Sequence, residues 1–119
     1  MNVNLKNKRY MSEGTKHFLL QRISAIINIP LTLFLFVIIF NLPGMSYIEI
    51  VASIKNPFIF FLLTVLIINY SLHMKLGMEM IIEDYIHAPK KLAAALILNR
   101  LAYSTIIVVS LVSLALIIL

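Results

Sequence analysis

The chain is 119 residues long, 61% hydrophobic, 13% charged and formally +5 at pH 7, against roughly 45–50% apolar and about 25% charged residues in an ordinary soluble domain. One domain of this length cannot hide that much apolar surface from water, so lipid is the expected solvent. The absence of cysteine excludes disulfides, thiolate metal sites and iron–sulfur ligation by this chain, and the basic residues cluster at the ends of apolar runs, as membrane topology places them, which argues against nucleic acid as a partner.

Residues 1–17 are polar. They are not a cleavable signal peptide, because the hydrophobic run behind them is longer than a roughly 7–15-residue signal core. That run, ISAIINIPLTLFLFVIIF from Ile23 to Phe40, holds no charge over 18 residues. At about 1.5 Å per residue it nearly crosses a hydrocarbon layer of ~30 Å. HFLLQR upstream adds a turn or two, which puts the first transmembrane helix at about residues 18–40. Pro30 lies inside it, where a bilayer helix tolerates proline if neighbours re-satisfy the freed carbonyl, and a kink is expected near Ile26. Residues 41–57, NLPGMSYIEIVASIKNP, read as a turn with a short interfacial helix around Ile48 to Ile54. The second run, Phe58 to Met74, belongs to a helix over about 57–82 and places Asn69, Tyr70 and Ser71 just ahead of His73. The third run, Leu101 to Leu119, belongs to a helix over about 92–119 and ends with the chain. The fold class is an all-α membrane protein with three transmembrane helices.

Charge orients the spans. Lys6, Lys8, Arg9, Lys16 and Arg22 precede the first span, the loop after it carries only Glu49 and Lys55, and the loop before the third carries Lys90 and Lys91, with Arg100 following. The positive-inside rule then puts the amino terminus and the second loop in the cytoplasm and the carboxyl terminus outside.

The ionisable residues near the spans each have a plain and a sharper reading. His73 lies at a depth where polar groups are costly and must be satisfied, either by a neighbouring helix or by serving as an axial haem ligand. Gly77, at i+4 on the same face, leaves room for a flat macrocycle or for close helix packing. Asp84 is eleven residues beyond His73, almost three full turns, so the two share a face roughly 16 Å apart. Tyr85 offers a hydroxyl suited to a quinone carbonyl, and is equally an ordinary interfacial anchor. Glu79 and Glu83 read as a solvated face, Glu79 within reach of Lys75 at i+4. Arg22 either reaches an anionic group at the same membrane face or snorkels to the headgroups. Ser24 and Asn28 suit interhelical hydrogen bonds or a polar pocket, and His87 reads as a surface residue or a contact between subunits.

Taken together, GTKHFLLQRISAIINIPL and HMKLGMEMIIEDYIH resemble the smaller hydrophobic membrane anchor, of cytochrome b556 type, in the succinate dehydrogenase (complex II) family. The resemblance covers essentially the whole chain. It rests on Arg22 in the context Q-R-x-[ST]-A-I, on H-x3-G-[MLI] at His73, on Asp84 and Tyr85 at eleven and twelve residues beyond the histidine, and on three spans of similar length. It implies a single membrane-anchor domain over residues 1–119, packed in a multi-subunit helical bundle with a second hydrophobic anchor of the succinate dehydrogenase and docking an iron–sulfur subunit and a flavoprotein subunit. Succinate oxidation would occur on the flavoprotein. The resemblance makes His73 an axial ligand of haem b shared with the second anchor, Arg22 a partner of a haem propionate, Tyr85 a donor to ubiquinone and Asp84 a residue shaping that quinone site. It implies a bacterial inner membrane, or a mitochondrial inner membrane if the chain is organelle-encoded. A small ion- or proton-conducting subunit, with His73 and Asp84 as a relay, and a purely structural subunit are the competing readings.

Overall fold

The computed structural model describes the backbone of residues 3–119 and the side chains of residues 14–119. The side chains of Lys6, Lys8 and Arg9, which weigh in the charge-based orientation, lie outside the described residues. Four helices follow one another: α1 (Val3–Asn41), α2 (Tyr47–Lys55), α3 (Pro57–Tyr85) and α4 (Pro89–Ile118). Among the described residues there is no strand.

The helix boundaries follow from local chemistry. At the start of α3, Pro57 occupies the first turn, where its missing N–H costs nothing, and the Asn56 side chain accepts from the backbone N–H of Phe58 at 3.0 Å and of Ile59 at 3.4 Å. Pro89 opens α4 in the same way, there without a side-chain cap. Short α2 starts with a reciprocal cap in which Ser46 accepts from the Glu49 N–H while the Glu49 carboxylate accepts from the Ser46 N–H at 2.7 Å. It runs one residue past the expected Ile48–Ile54 at each end. Gly44, with φ +93°, makes the turn between α1 and α2 that other residues rarely adopt.

Helix α1 begins well before the expected residue 18. No proline interrupts residues 3–17, so the polar amino-terminal segment continues the spanning helix without a break. Its 39 residues amount to about 58 Å, nearly twice the hydrocarbon thickness. The helix continues through Pro30. Among the described residues three stretches are long and apolar enough to cross a membrane: Gly14–Asn41, Pro57–Tyr85 and Pro89–Ile118. The protein is therefore multi-pass.

Helix α3 is the centre of the molecule, packed on α1 along one side and on α4 along the other, with α2 lying against α3 and α4. The apolar core is minimal. Among the described residues only Leu31, Leu76, Ile82 and Leu114 are buried hydrophobics, while residues such as Leu33, Phe36, Val37, Val108 and Val109 stand half or more exposed. Helices apolar around their whole circumference need lipid or another apolar chain on the faces they do not give to one another.

Candidate functional site

The contact between α1 and α3 is polar along much of its length. The helices run antiparallel, and Thr32, Asn28, Ser24 and His17 on α1 meet Tyr70, Asn69, His73 and Glu79 on α3. Spacings of four and seven along α1 keep these groups on one helix face. At one end the Thr32 hydroxyl donates to the Asn28 carbonyl at 2.6 Å, so the bond between Thr32 and Tyr70 takes its proton from the tyrosine. Asn69 Nδ2 then donates across the helix pair to Asn28 Oδ1 at 2.6 Å and to the Ser24 carbonyl at 2.9 Å.

His73 comes next along the seam. Ser24 Oγ lies 2.9 Å from His73 Nδ1 and 2.9 Å from the Gln21 carbonyl. A carbonyl only accepts, so the single serine proton goes to Gln21 and the serine oxygen must accept from the ring. This assigns the proton of the neutral imidazole to Nδ1 and leaves Nε2 with a free lone pair. Ser24 is 2% exposed, so no water competes for the bond. The plain reading of His73, satisfaction by a neighbouring helix, therefore holds for one ring nitrogen and leaves the other open to a ligand role.

The His73 side chain also lines a groove of about 380 Å³. Its floor is α3, with His73, Met74, Gly77 and Met78; Gln21 contributes from α1, and Tyr103 from α4. The opening at Gly77 is not empty space: a Cβ added there would lie 3.1 Å from Gln21 Nε2. The glycine admits the Gln21 amide, which forms part of the groove wall. Among the described residues no cluster of three or more histidine and carboxylate groups could hold a bare metal ion. A lone imidazole beside an apolar groove would hold a metal only within a prosthetic group that brings its own ligands.

The other sequence-derived candidates do not line this groove. Arg22 is exposed, and its guanidinium lies 4.4 Å over the Phe18 ring. Asp84 and Tyr85 form the last turn of α3 and are exposed, Tyr85 by 81%. His87 is exposed just beyond that helix. The structure thus brings His73, Ser24, Gly77 and Gln21 together, and keeps Asp84 and Tyr85 as a separate exposed pair.

Glu79 departs from the solvated face expected of it. It is 7% exposed, with Lys75 Nζ 3.5 Å from Oε1 and His17 Nδ1 3.8 Å from Oε2. The i+4 partner is as expected; the histidine approaches the other carboxylate oxygen from the neighbouring helix. Lys75 in turn lies 5.7 Å from the centre of the Tyr103 ring, and Asn99 donates to the Lys75 carbonyl at 3.1 Å, which ties α4 to this level of α3. Gln21, His17, Asn99 and Tyr103 were not singled out from the sequence. For the α1 residues a signal was present: His17, Gln21, Ser24, Asn28 and Thr32 recur every three or four residues in a run that is apolar apart from them and Arg22.

Comparison with known proteins gives the chain a family. Residues 2–119 match the model for the succinate dehydrogenase/fumarate reductase transmembrane subunit. A protein of Rickettsia bellii named succinate dehydrogenase hydrophobic membrane anchor subunit is 32% identical over 108 residues, covering 91% of this chain and 86% of the relative. Its namesake in Rickettsia prowazekii is 32% identical over 101 residues, covering 83% and 79%. No solved structure matches. A family match over residues 2–119, two relatives covered over most of their length and three membrane-spanning helices agree: the chain belongs to the succinate dehydrogenase/fumarate reductase transmembrane subunit family.

Proposed function

We propose that this chain is the smaller membrane anchor, of cytochrome b556 type, of a succinate:quinone oxidoreductase. In this reading it holds the flavoprotein and iron–sulfur subunits at the cytoplasmic face of a bacterial inner membrane, or its mitochondrial counterpart, and shares haem b with a second hydrophobic anchor. It contributes no catalytic residue to succinate oxidation. The observation that carries the reading is the state of His73: Nδ1–H is taken by Ser24, and Nε2 is the free nitrogen of a side chain lining an apolar groove.

Haem bound there would supply a one-electron reservoir near the quinone site, where one-electron carriers deliver to a two-electron acceptor. His73 would hold the iron through Nε2, and the second anchor would supply a further ligand. Gln21 and Gly77 shape the wall the macrocycle would rest on. Arg22, next in sequence to groove-lining Gln21, has no carboxylate partner among the described residues, and a propionate is the anion for which it would leave Phe18. Tyr85 and Asp84, exposed at the end of α3, belong to the quinone site. The tyrosine hydroxyl donates to a ubiquinone carbonyl, and the carboxylate hydrates the site and holds a proton source near it. Both stand at the cytoplasmic end given by the positive-inside count.

The test compares purified complexes carrying wild-type chain and His73→Ala by reduced-minus-oxidised absorption. A b-type band that is lost or displaced in the variant supports the assignment. An identical band in both removes His73 as ligand.

A further inference from the structure

We infer that Ser24 is a positioning residue for the metal-ligating histidine, setting both the tautomer of His73 and the donor strength of its Nε2. The inference rests on the haem reading above and extends it to a residue outside the coordination sphere. Three observations on the structure carry it. Ser24 Oγ is 2.9 Å from His73 Nδ1, and its own proton is committed to the Gln21 carbonyl at 2.9 Å, so the imidazole has only one way to satisfy the contact. Ser24 is 2% exposed, the most enclosed of the buried polar residues, so no solvent molecule stands in for the hydroxyl. Its backbone is fixed independently, because the Ser24 carbonyl accepts from Asn69 Nδ2 at 2.9 Å and the α1–α3 contact does not hang on the side chain.

The chain His73 Nδ1–H to Ser24 Oγ–H to Gln21 carbonyl is a run of hydrogen bonds pointing the same way, in a site of low dielectric. Each bond polarises the next and makes the serine oxygen a better acceptor than an isolated hydroxyl. Partial withdrawal of the Nδ1 proton raises the electron density that Nε2 offers to a metal. A stronger donor favours the oxidised metal, so Ser24 lowers the reduction potential of the haem. Without the hydroxyl, Nδ1–H is a buried donor with no partner, and the ring is free to rotate about χ2 or to swap tautomers. Both changes leave Nε2 less well aimed.

The experiment uses the assembled complex extracted from membranes, with wild-type, Ser24→Ala, Ser24→Thr and His73→Ala chains, read by haem content and by redox titration of the haem band. Ser24→Ala is expected to shift the midpoint potential upward, with haem content equal to or below wild type, while Ser24→Thr, which restores a hydroxyl, returns both toward wild type. An unshifted potential in Ser24→Ala at full haem content overturns the inference. So does a Ser24→Thr complex that behaves like Ser24→Ala, because the effect then belongs to packing and not to the hydroxyl. Failure of the ligand reading is separately visible: it is a haem band indifferent to His73→Ala.

Discussion

In the proposed role His73 has two demands to meet at once, and its two ring nitrogens would divide them. An imidazole inside a bilayer must be hydrogen-bonded, and a haem ligand must keep one nitrogen bare. The first demand is met by Ser24 across the α1–α3 contact, the second by the groove on the open side of α3. The sequence placed His73 and Ser24 at compatible depths and left both roles of the histidine open; what it could not supply was the rotation of α1 about its axis, which decides that Ser24 and not Arg22 faces the ring. At the rim, Tyr85 is 81% exposed and available to a ligand. Replacing Tyr85 by Phe is expected to slow quinone reduction several-fold while succinate-dependent dye reduction in the same preparation stays at its wild-type rate. Equal loss of both activities would contradict the proposed quinone role and assign the tyrosine to general stability. Glu79 shows the opposite limit of sequence reading. Its i+4 partner Lys75 was legible, but not the approach of His17 from another helix, some sixty residues away in sequence.

At the scale of the helices, the polar seam is what holds α1 to α3. Lipid is as apolar as leucine, so apolar contact alone gives two helices little reason to associate, and interhelical hydrogen bonds contribute about 0.6–2 kcal/mol each. Asn69 makes two such bonds from one amide. Asn69→Leu is expected to weaken the α1–α3 pair by about 1–2 kcal/mol, seen as a lower melting temperature of the extracted complex and as loss of haem at milder heating; Asn69→Gln is expected to recover part of the loss. A melting temperature unchanged by Asn69→Leu would show that other contacts hold the pair. Helix α2 depends on a different device. The Glu49 carboxylate accepts hydrogen bonds from the Ser46 backbone N–H and hydroxyl, both at 2.7 Å, which lowers its pKa below the ordinary 4.5. A depressed folded pKa means the cap's contribution is present above the unfolded value and disappears as pH falls through the folded one. The first turn of α2 is expected to fray only in acid, below about pH 4.5, measured as faster amide exchange at Ser46 and Glu49. In Glu49→Gln that pH dependence is expected to vanish. The Ser46-x-x-Glu49 pattern is a capping signature readable in the sequence, and it accounts for the helix beginning at Tyr47.

For the molecule as a whole, three spans were legible because long uncharged runs have few alternatives, whereas the extension of α1 back to Val3 was not, because helical continuity through polar residues leaves no hydropathy signal. The described bundle buries four large apolar side chains and leaves most others exposed, so its stability comes from lipid and from neighbouring subunits. Helices α1 and α4 flank the groove, and no described residue of the chain closes it. Expressed without the other subunits, the chain is therefore expected to insert in membranes and to retain at most a small fraction of the haem found in the co-expressed complex, as measured by haem per mole of chain. If Nε2 of His73 holds the haem iron as proposed, low-temperature EPR of the oxidised wild-type complex should show a low-spin ferric haem. In His73→Ala that signal should convert to high spin or disappear. An unaltered low-spin spectrum in the variant would contradict the ligation.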